Sequence, residues 1–243
     1  MKIKTFALGI TTLALSGLCL AANAFEIGER SAKLFNDVLD TSKHNLHLVV
    51  VQKIDMSEVL SQEAFQALKP YQRVRYNRFE YNETSALSAE RQTTYDGAGR
   101  IVKDVNSFAK GGQWYSIDYV NKTFDRLPEL PGMTRSIADQ FSPYFADGMP
   151  EGGFEEITGY DFDRRYKADK EIYFYFTKGT DQFRAYTITG TPRYNVMEIS
   201  DQIDMEKAFA LPPEDFKRQA NEAMRSYAAK LVGGFNNTGK KKK

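Results

Sequence analysis

The chain is poor in the residues that carry most catalytic and metal chemistry. Of its 243 residues, one is cysteine, two are histidine and one is tryptophan. Cys19 lies inside the N-terminal apolar stretch, so a disulfide framework, thiol catalysis and cysteine metal sites are excluded from everything after it. His44 and His47 stand three apart at the entry to a predicted strand. That spacing sends their side chains to opposite faces and keeps them from sharing a metal. No HExxH run is present, nor a G-x-S-x-G elbow, an S-x-x-K nucleophile, a Walker loop or a G-x-G-x-x-G fingerprint. Gly97-Ala98-Gly99 sits between strand-like segments and reads as a turn, not a phosphate cradle. These absences leave no metal, cofactor or catalytic assignment.

Long apolar runs are also missing beyond residue 20. Phe6 to Leu20 is shorter than the roughly 20 residues a spanning helix needs. Lys2 and Lys4 precede it as a basic n-region, and Ala22-Asn23-Ala24 follows with small residues at the cleavage positions. Residues 1–24 are therefore predicted to be a cleaved signal peptide, giving a mature chain that starts at Phe25 in a periplasmic or otherwise extracytoplasmic compartment. Leu18 occupies the place before Cys19 where a lipoprotein signal has a small residue, which argues against lipidation.

What is present describes a globular body of ordinary polarity. Hydrophobic residues make up 42% and charged residues 27%. The formal charge of +1 becomes −1 without Lys2 and Lys4, and near −5 without the tail Lys240 to Lys243. A mildly acidic body has no basic face for nucleic acid. Residues 233–243, rich in Gly, Asn and Lys, read as a disordered tail; contact with anionic lipid or wall polymer is the other reading. Aromatics are 13%, dominated by 17 Phe and 14 Tyr, a bias toward strands.

Periodicity predicts an amphipathic helix over Glu26 to Ser42, a strand over Asn45 to Asp55, and a helix over Met56 to Leu68 with Ser57 as cap. From Tyr71 to Asp201 strands dominate, about ten in all, joined by short turns into one antiparallel meander. One of them is expected at Phe154 to Thr158. The clearest hairpin joins Glu171–Thr177 to Gln182–Thr189 through Lys178-Gly179-Thr180-Asp181. A Pro- and Gly-rich insertion from Leu127 to Gly153, with a helix over Met133 to Phe145, reads either as a lid over a cavity or as a fixed plug. A further helix is expected from Glu214 to Leu231. No repeat or linker divides residues 25–232, so one domain is expected.

Carboxylates offer the one enzymatic reading. Asp161 and Asp163, two apart on a strand, share a face in the manner of a paired-carboxylate site, although Arg164 and Arg165 follow at once, as on a solvated strand. The aromatics are the stronger signal. Tyr173, Phe174, Tyr175 and Phe176 put rings on both faces of one strand, with Phe183 and Tyr186 on its partner and Trp114, Tyr115 and Tyr119 earlier. Rings at that spacing fill a core, line an apolar ligand cavity, or do both.

The exported start, the first amphipathic helix, the long meander with its interruption, the "GGQWYSIDYVNKTFDRL" stretch and the late "MEKAFALPPEDFK" phrase together resemble the periplasmic outer-membrane lipoprotein carriers, the LolA/LolB-like group. Phe209, Leu211, Pro212 and Phe216 carry the group's F-x-L-P-x-x-F ending, with one extra residue before Phe216. The resemblance covers Ala32 to Phe216 and implies an α+β fold: a strongly curved antiparallel sheet, an incomplete barrel, with helices on its concave face over an acyl-chain cavity. It implies a non-enzymatic carrier for a lipoprotein, lipid or other acylated ligand, which an envelope membrane protein supplies or receives. The expected apolar surface is Tyr115, Ile117, Phe141, Tyr144, Phe174 and Phe176. The cavity arginine of the group has Arg73 and Arg75 as candidates. An envelope polysaccharide- or peptidoglycan-acting enzyme using Asp161 or Asp163, and an envelope-sensing interaction module, are the alternatives.

Overall fold

Strand-forming sequence dominates the computed structural model, which describes residues 30–133, 136–141, 160–167, 170–188 and 194–238. Among the described residues eleven strands form one open sheet: β1 (Leu46–Asp55), β2 (Val74–Glu83), β3 (Ser88–Asp96), β4 (Ile101–Lys110), β5 (Gln113–Asp118), β6 (Thr123–Pro128), β7 (Tyr160–Lys167), β8 (Lys170–Thr177), β9 (Phe183–Ile188), β10 (Tyr194–Ser200) and β11 (Lys217–Arg218). Their spatial order is β11-β6-β5-β4-β3-β2-β1-β10-β9-β8-β7. All pairs are antiparallel except β11 with β6. The fold is a single sheet-rich domain.

The predicted single meander is two. β1 to β6 run outward in sequence order; the chain then leaves one edge, re-enters at the other as β7, and works back until β10 pairs with β1. β6 and β7 stand nine strand positions apart, about 40 Å measured along the sheet at the usual inter-strand spacing. The Pro- and Gly-rich insertion is therefore first of all a crossover. Its described part is anchored at two points, one on the C-terminal helix and one on the core that covers the sheet. Gly132 carbonyl accepts the Tyr227 hydroxyl at 2.9 Å, and Ile137 is buried at 1% exposure in α3 (Ile137–Phe141).

Two apolar cores lie on opposite faces of this one sheet. Register places Leu48, Tyr81, Glu90, Ser107, Ser116 and Asp125 in one transverse row, hence on one face. On that first face Leu46, Leu48 and Val50 of β1 pack with Phe174 and Phe176 of β8, Phe183 of β9, and Leu34, Leu39 and Ile137. The row one residue away runs His47, Asn82, Ala89, Phe108 and Tyr115. Here the apolar part lies at the other end: Ala89, Phe108 and Ile117 pack with Ala208 and Phe209, flanked by Tyr115, Tyr119, Phe124 and Phe216. The sheet thus changes its apolar face halfway across. Tyr173 and Tyr175 with Ala185 make a small third cluster, which explains the strand with rings on both sides.

The C-terminal segment wraps the β6 edge to cover both faces. α4 (Met205–Ala208) and Phe209 cap the second core, where Phe209 meets Phe108 edge-on at 5.9 Å and Asn106 donates to the Ala208 carbonyl at 2.9 Å. β11 then pairs with β6, and α5 (Glu222–Thr238) turns back over the first face. The helix predicted from Glu214 begins eight residues later because Phe216 is held against Tyr119 and residues 217–218 join the sheet edge. Asn221 caps it by accepting the Met224 N–H at 3.1 Å, and it runs to Thr238, past Gly233-Gly234 where the tail was expected to begin.

Other local expectations shift in the same way. The helix expected over Met56 to Leu68 is two short ones, α1 (Met56–Val59) and α2 (Gln62–Gln66), separated by Leu60 in extended backbone. Asp55, not Ser57, caps the first by accepting the Ser57 N–H, and Ser61 caps the second. The strand expected at Phe154 to Thr158, the expected signal peptide with Cys19, and the lysine tail lie outside the described residues.

Candidate functional site

The first described turn builds one wall of a cleft. Residues 30–33 are α-helical and pass into a π-helical turn, Leu34–Val38, closed by the Leu39 N–H donating to the Leu34 carbonyl at 3.1 Å. The extra residue lets Leu34 and Leu39 both reach the core, at 4% and 1% exposure. Carbonyls freed at the end of this turn find cations nearby. Lys43 Nζ donates to the Asn36 carbonyl at 3.3 Å, His44 Nε2 meets the Asp37 carbonyl, and His44 Nδ1 meets the Asn45 carbonyl at 2.8 Å.

Because both His44 nitrogens face carbonyl oxygens, only the imidazolium satisfies both bonds. The Asn45 and Asp37 carbonyls accordingly raise its pKa above the usual histidine value. A raised cation contributes stability in full below pH 6.5 and loses it as pH rises through the folded-state value. Replacing His44 with Ala is expected to destabilise the protein by about 0.5–1 kcal/mol at pH 5.5, after screening, and by less at pH 8.5. Urea unfolding at the two pH values checks this; an equal loss at both would mean that His44 is held neutral.

Opposite this turn stand the β8–β9 turn and strands β9 and β10. Between them lies a cleft of about 500 Å³ lined by Arg30, Lys33, Leu34, Val38, Asp181, Gln182, Phe183, Arg184, Glu198 and Ile199. Its floor is apolar: Leu34 and Phe183 belong to the first core, with Val38 and Ile199 packed against it. Its rim carries charges of both signs. Arg30 Nε lies 3.2 Å and Lys33 Nζ 3.4 Å from the Asp181 carboxylate. Arg184 donates to Gln182 Oε1 at 2.7 Å and to Thr177 Oγ1 at 3.1 Å. Volumes between roughly 300 and 1,000 Å³ with apolar walls and a few polar groups are those of small-ligand sites.

The expected apolar surface is not brought together. Phe174 and Phe176 are fully buried in the first core beneath Phe183, while Tyr115 and Ile117 stand on the second face against Phe108. Phe141 ends α3 and Tyr144 lies outside the described residues. Arg73 follows a 3₁₀ turn with its guanidinium over the Phe65 ring at 5.1 Å, and Arg75 is exposed on β2; neither lines the cleft. Asp161 and Asp163 are on β7, in register with Phe176 and Phe174 of β8.

Of the buried carboxylates that escaped the sequence reading, Asp125 and Glu83 tie distant segments of the chain together. Asp125 of β6 is 1% exposed and receives Arg225 at 2.8 and 3.0 Å, the Asn221 N–H at 2.8 Å and the Arg126 N–H at 2.9 Å. Glu83 of β2 is 2% exposed; its Oε1 accepts the Ile137 N–H at 2.6 Å, and its Oε2 is buried without a partner among the described residues. The available signal was positional: Phe79, Tyr81 and Glu83 alternate onto one strand face, which puts a carboxylate in an aromatic series. Among the described residues no three His, Cys, Asp or Glu converge as a metal site, and no helix is long and apolar enough to cross a membrane.

No family model matches the chain, and no curated protein does. Among solved structures, an uncharacterized conserved protein from Thermus thermophilus is similar over 82% of this chain and 99% of its own, at 8% identity and a TM-score of 0.41. PNGF-II in two crystal forms is similar over 75% and 76% of this chain, at 6% and 7% identity and TM-scores of 0.28 and 0.31. This chain spans about a third of PNGF-II. Likeness of this order assigns no ligand or activity.

Proposed function

We propose that the protein is an exported, extracytoplasmic binding protein, without enzymatic activity, that carries an acylated or amphipathic ligand such as a lipoprotein or envelope lipid. The observation that supports this reading is the cleft above the first core, with Leu34, Val38, Phe183 and Ile199 beneath and Arg30, Lys33, Asp181 and Arg184 around it. An apolar floor gains by covering a hydrocarbon chain, at about 25 cal/mol per Å² removed from water. A charged rim holds a polar head without burying it. The ligand class and the export rest on the resemblance to the LolA/LolB-like carriers and on the basic and apolar start of the chain. The same reading takes the open sheet as an incomplete barrel, curved so that its first face is concave, and gives the protein an envelope membrane partner that loads or unloads it.

Charge placed in the floor tests the site. Val38→Glu and Ile199→Glu are each expected to weaken binding of a fluorescent acyl probe at least tenfold, because an unpaired carboxylate would face the chain. Tyr115→Phe, on the opposite face, is expected to leave the affinity unchanged. Wild-type affinity in both glutamate variants, with the fold intact by circular dichroism, would remove the cleft as the binding site.

A further inference from the structure

Glu83 joins two distant parts of the chain at a point where charge is costly. It is the last residue of β2, on the first face, in register with Leu46 of β1 and Ser88 of β3. One carboxyl oxygen accepts the backbone N–H of Ile137, 54 residues away, where the crossover comes down on the core. The other is buried with no hydrogen-bond partner among the described residues. We propose that Glu83 is a protonation-dependent latch, which holds the Ile137–Phe141 turn against the sheet when neutral and releases it when ionised.

The surroundings favour the neutral form. Leu46, Ser88, Asn82 and Thr84 are uncharged, as are Leu48 and Tyr81 alongside. Asp139, two residues beyond Ile137, adds a like charge from the crossover itself. Among the described residues no lysine, arginine or histidine forms an ion pair with Glu83. Burial pushes its pKa from 4.5 up to about 7; the Ile137 N–H pulls the other way, and Asp139 raises it further. In the closed turn the group keeps its proton between pH 4.5 and 7, whereas in an opened, hydrated turn it loses it. Closure therefore weakens as pH rises across that window and is constant above it. An unpartnered buried oxygen supplies the drive, since an ionised carboxylate there must recruit water or leave. The latch does not depend on what the cleft binds.

Amide hydrogen exchange at Ile137 and its neighbours in α3 reads the latch. After correction for the intrinsic pH dependence of exchange, opening is expected to rise by up to about 300-fold between pH 4.5 and 7 and then level off. Core amides of β1 serve as the internal reference and are expected to change less. In Glu83→Gln, which carries no titrating proton, exchange at Ile137 is expected to be independent of pH. The same pH dependence in that variant, or none in the wild type, overturns the proposal. Should Glu83→Gln fail to fold, the carboxyl carbon of Glu83 in the wild type, followed by NMR, decides. A midpoint near 7 supports the latch, and one in the ordinary carboxylate range overturns it.

Discussion

Truncating Phe174 to alanine is expected to cost about 3–5 kcal/mol, and truncating Phe108 about as much, although the two rings share no neighbours. Both are fully buried, Phe174 among Phe176, Phe183 and Leu48 on the first face, Phe108 among Ile117, Tyr115 and Phe209 on the second. Each loss combines the transfer of a ring out of apolar surroundings with the cavity left behind. Because the clusters lie on opposite faces, the double variant is expected to lose the sum of the two within about 0.5 kcal/mol. It should also unfold in one transition, since β1 to β4 are shared ladder between the two cores. Calorimetry and chemical denaturation with two probes would check both points. Two separated transitions would mean that the halves of the sheet are independent units.

Removing the Asp125 carboxylate is expected to release α5 from the sheet. In Asp125→Ala the Arg225 fork and the N–H groups of Asn221 and Arg126 lose their acceptor at once. Arg225 is 42% exposed and can be rehydrated, so the expected loss is about 2–3 kcal/mol, below that of a fully enclosed pair. Trp114, the sole tryptophan, packs edge-on against Tyr227 of α5 at 6.0 Å and reports on docking directly. Its emission is expected to shift to the red in the variant while the sheet signal in circular dichroism persists. Acid should do the same to the wild type. Burial alone would raise the Asp125 pKa, but Arg225 and the two N–H groups outweigh it and hold it below the usual carboxylate range. A depressed acid contributes stability above the unfolded value near 3.8 that is lost as pH falls through the folded one, so α5 is expected to loosen only below about pH 4. An unchanged Trp114 spectrum in Asp125→Ala would show that the helix is held by its apolar contacts instead.

Much of the sheet was legible because its signals are local. Alternation in Leu46-His47-Leu48, the turn at Asp96-Gly97-Ala98-Gly99 and the Lys178 to Asp181 hairpin each need only neighbours in sequence to be read. Alternation separates the two faces of a strand, yet it does not say which one is covered. Tyr115 and Ile117 were therefore grouped with Phe174 and Phe176, although the sheet buries opposite faces at its two ends. The edge-to-edge crossover depends on which strands neighbour β1, a long-range choice that no window of residues contains. A two-residue strand such as Lys217–Arg218 has too few side chains to show a period. The cleft was missed for a related reason. Arg30, Lys33 and Leu34 come from one segment, Asp181 to Arg184 from another, and their meeting is a property of the assembled sheet.

Whether the protein carries an amphipathic ligand is tested most directly by native mass spectrometry of material purified from its own host without detergent, followed by organic extraction. The expected result is a population heavier than the bare chain by the mass of one acylated molecule, which extraction recovers and which Val38→Glu no longer retains. A bare chain mass, with no uptake when the delipidated protein is offered acyl probes, would contradict the carrier reading. Cleavage of envelope glycan by that same bare protein would point instead to the β7 carboxylates Asp161 and Asp163.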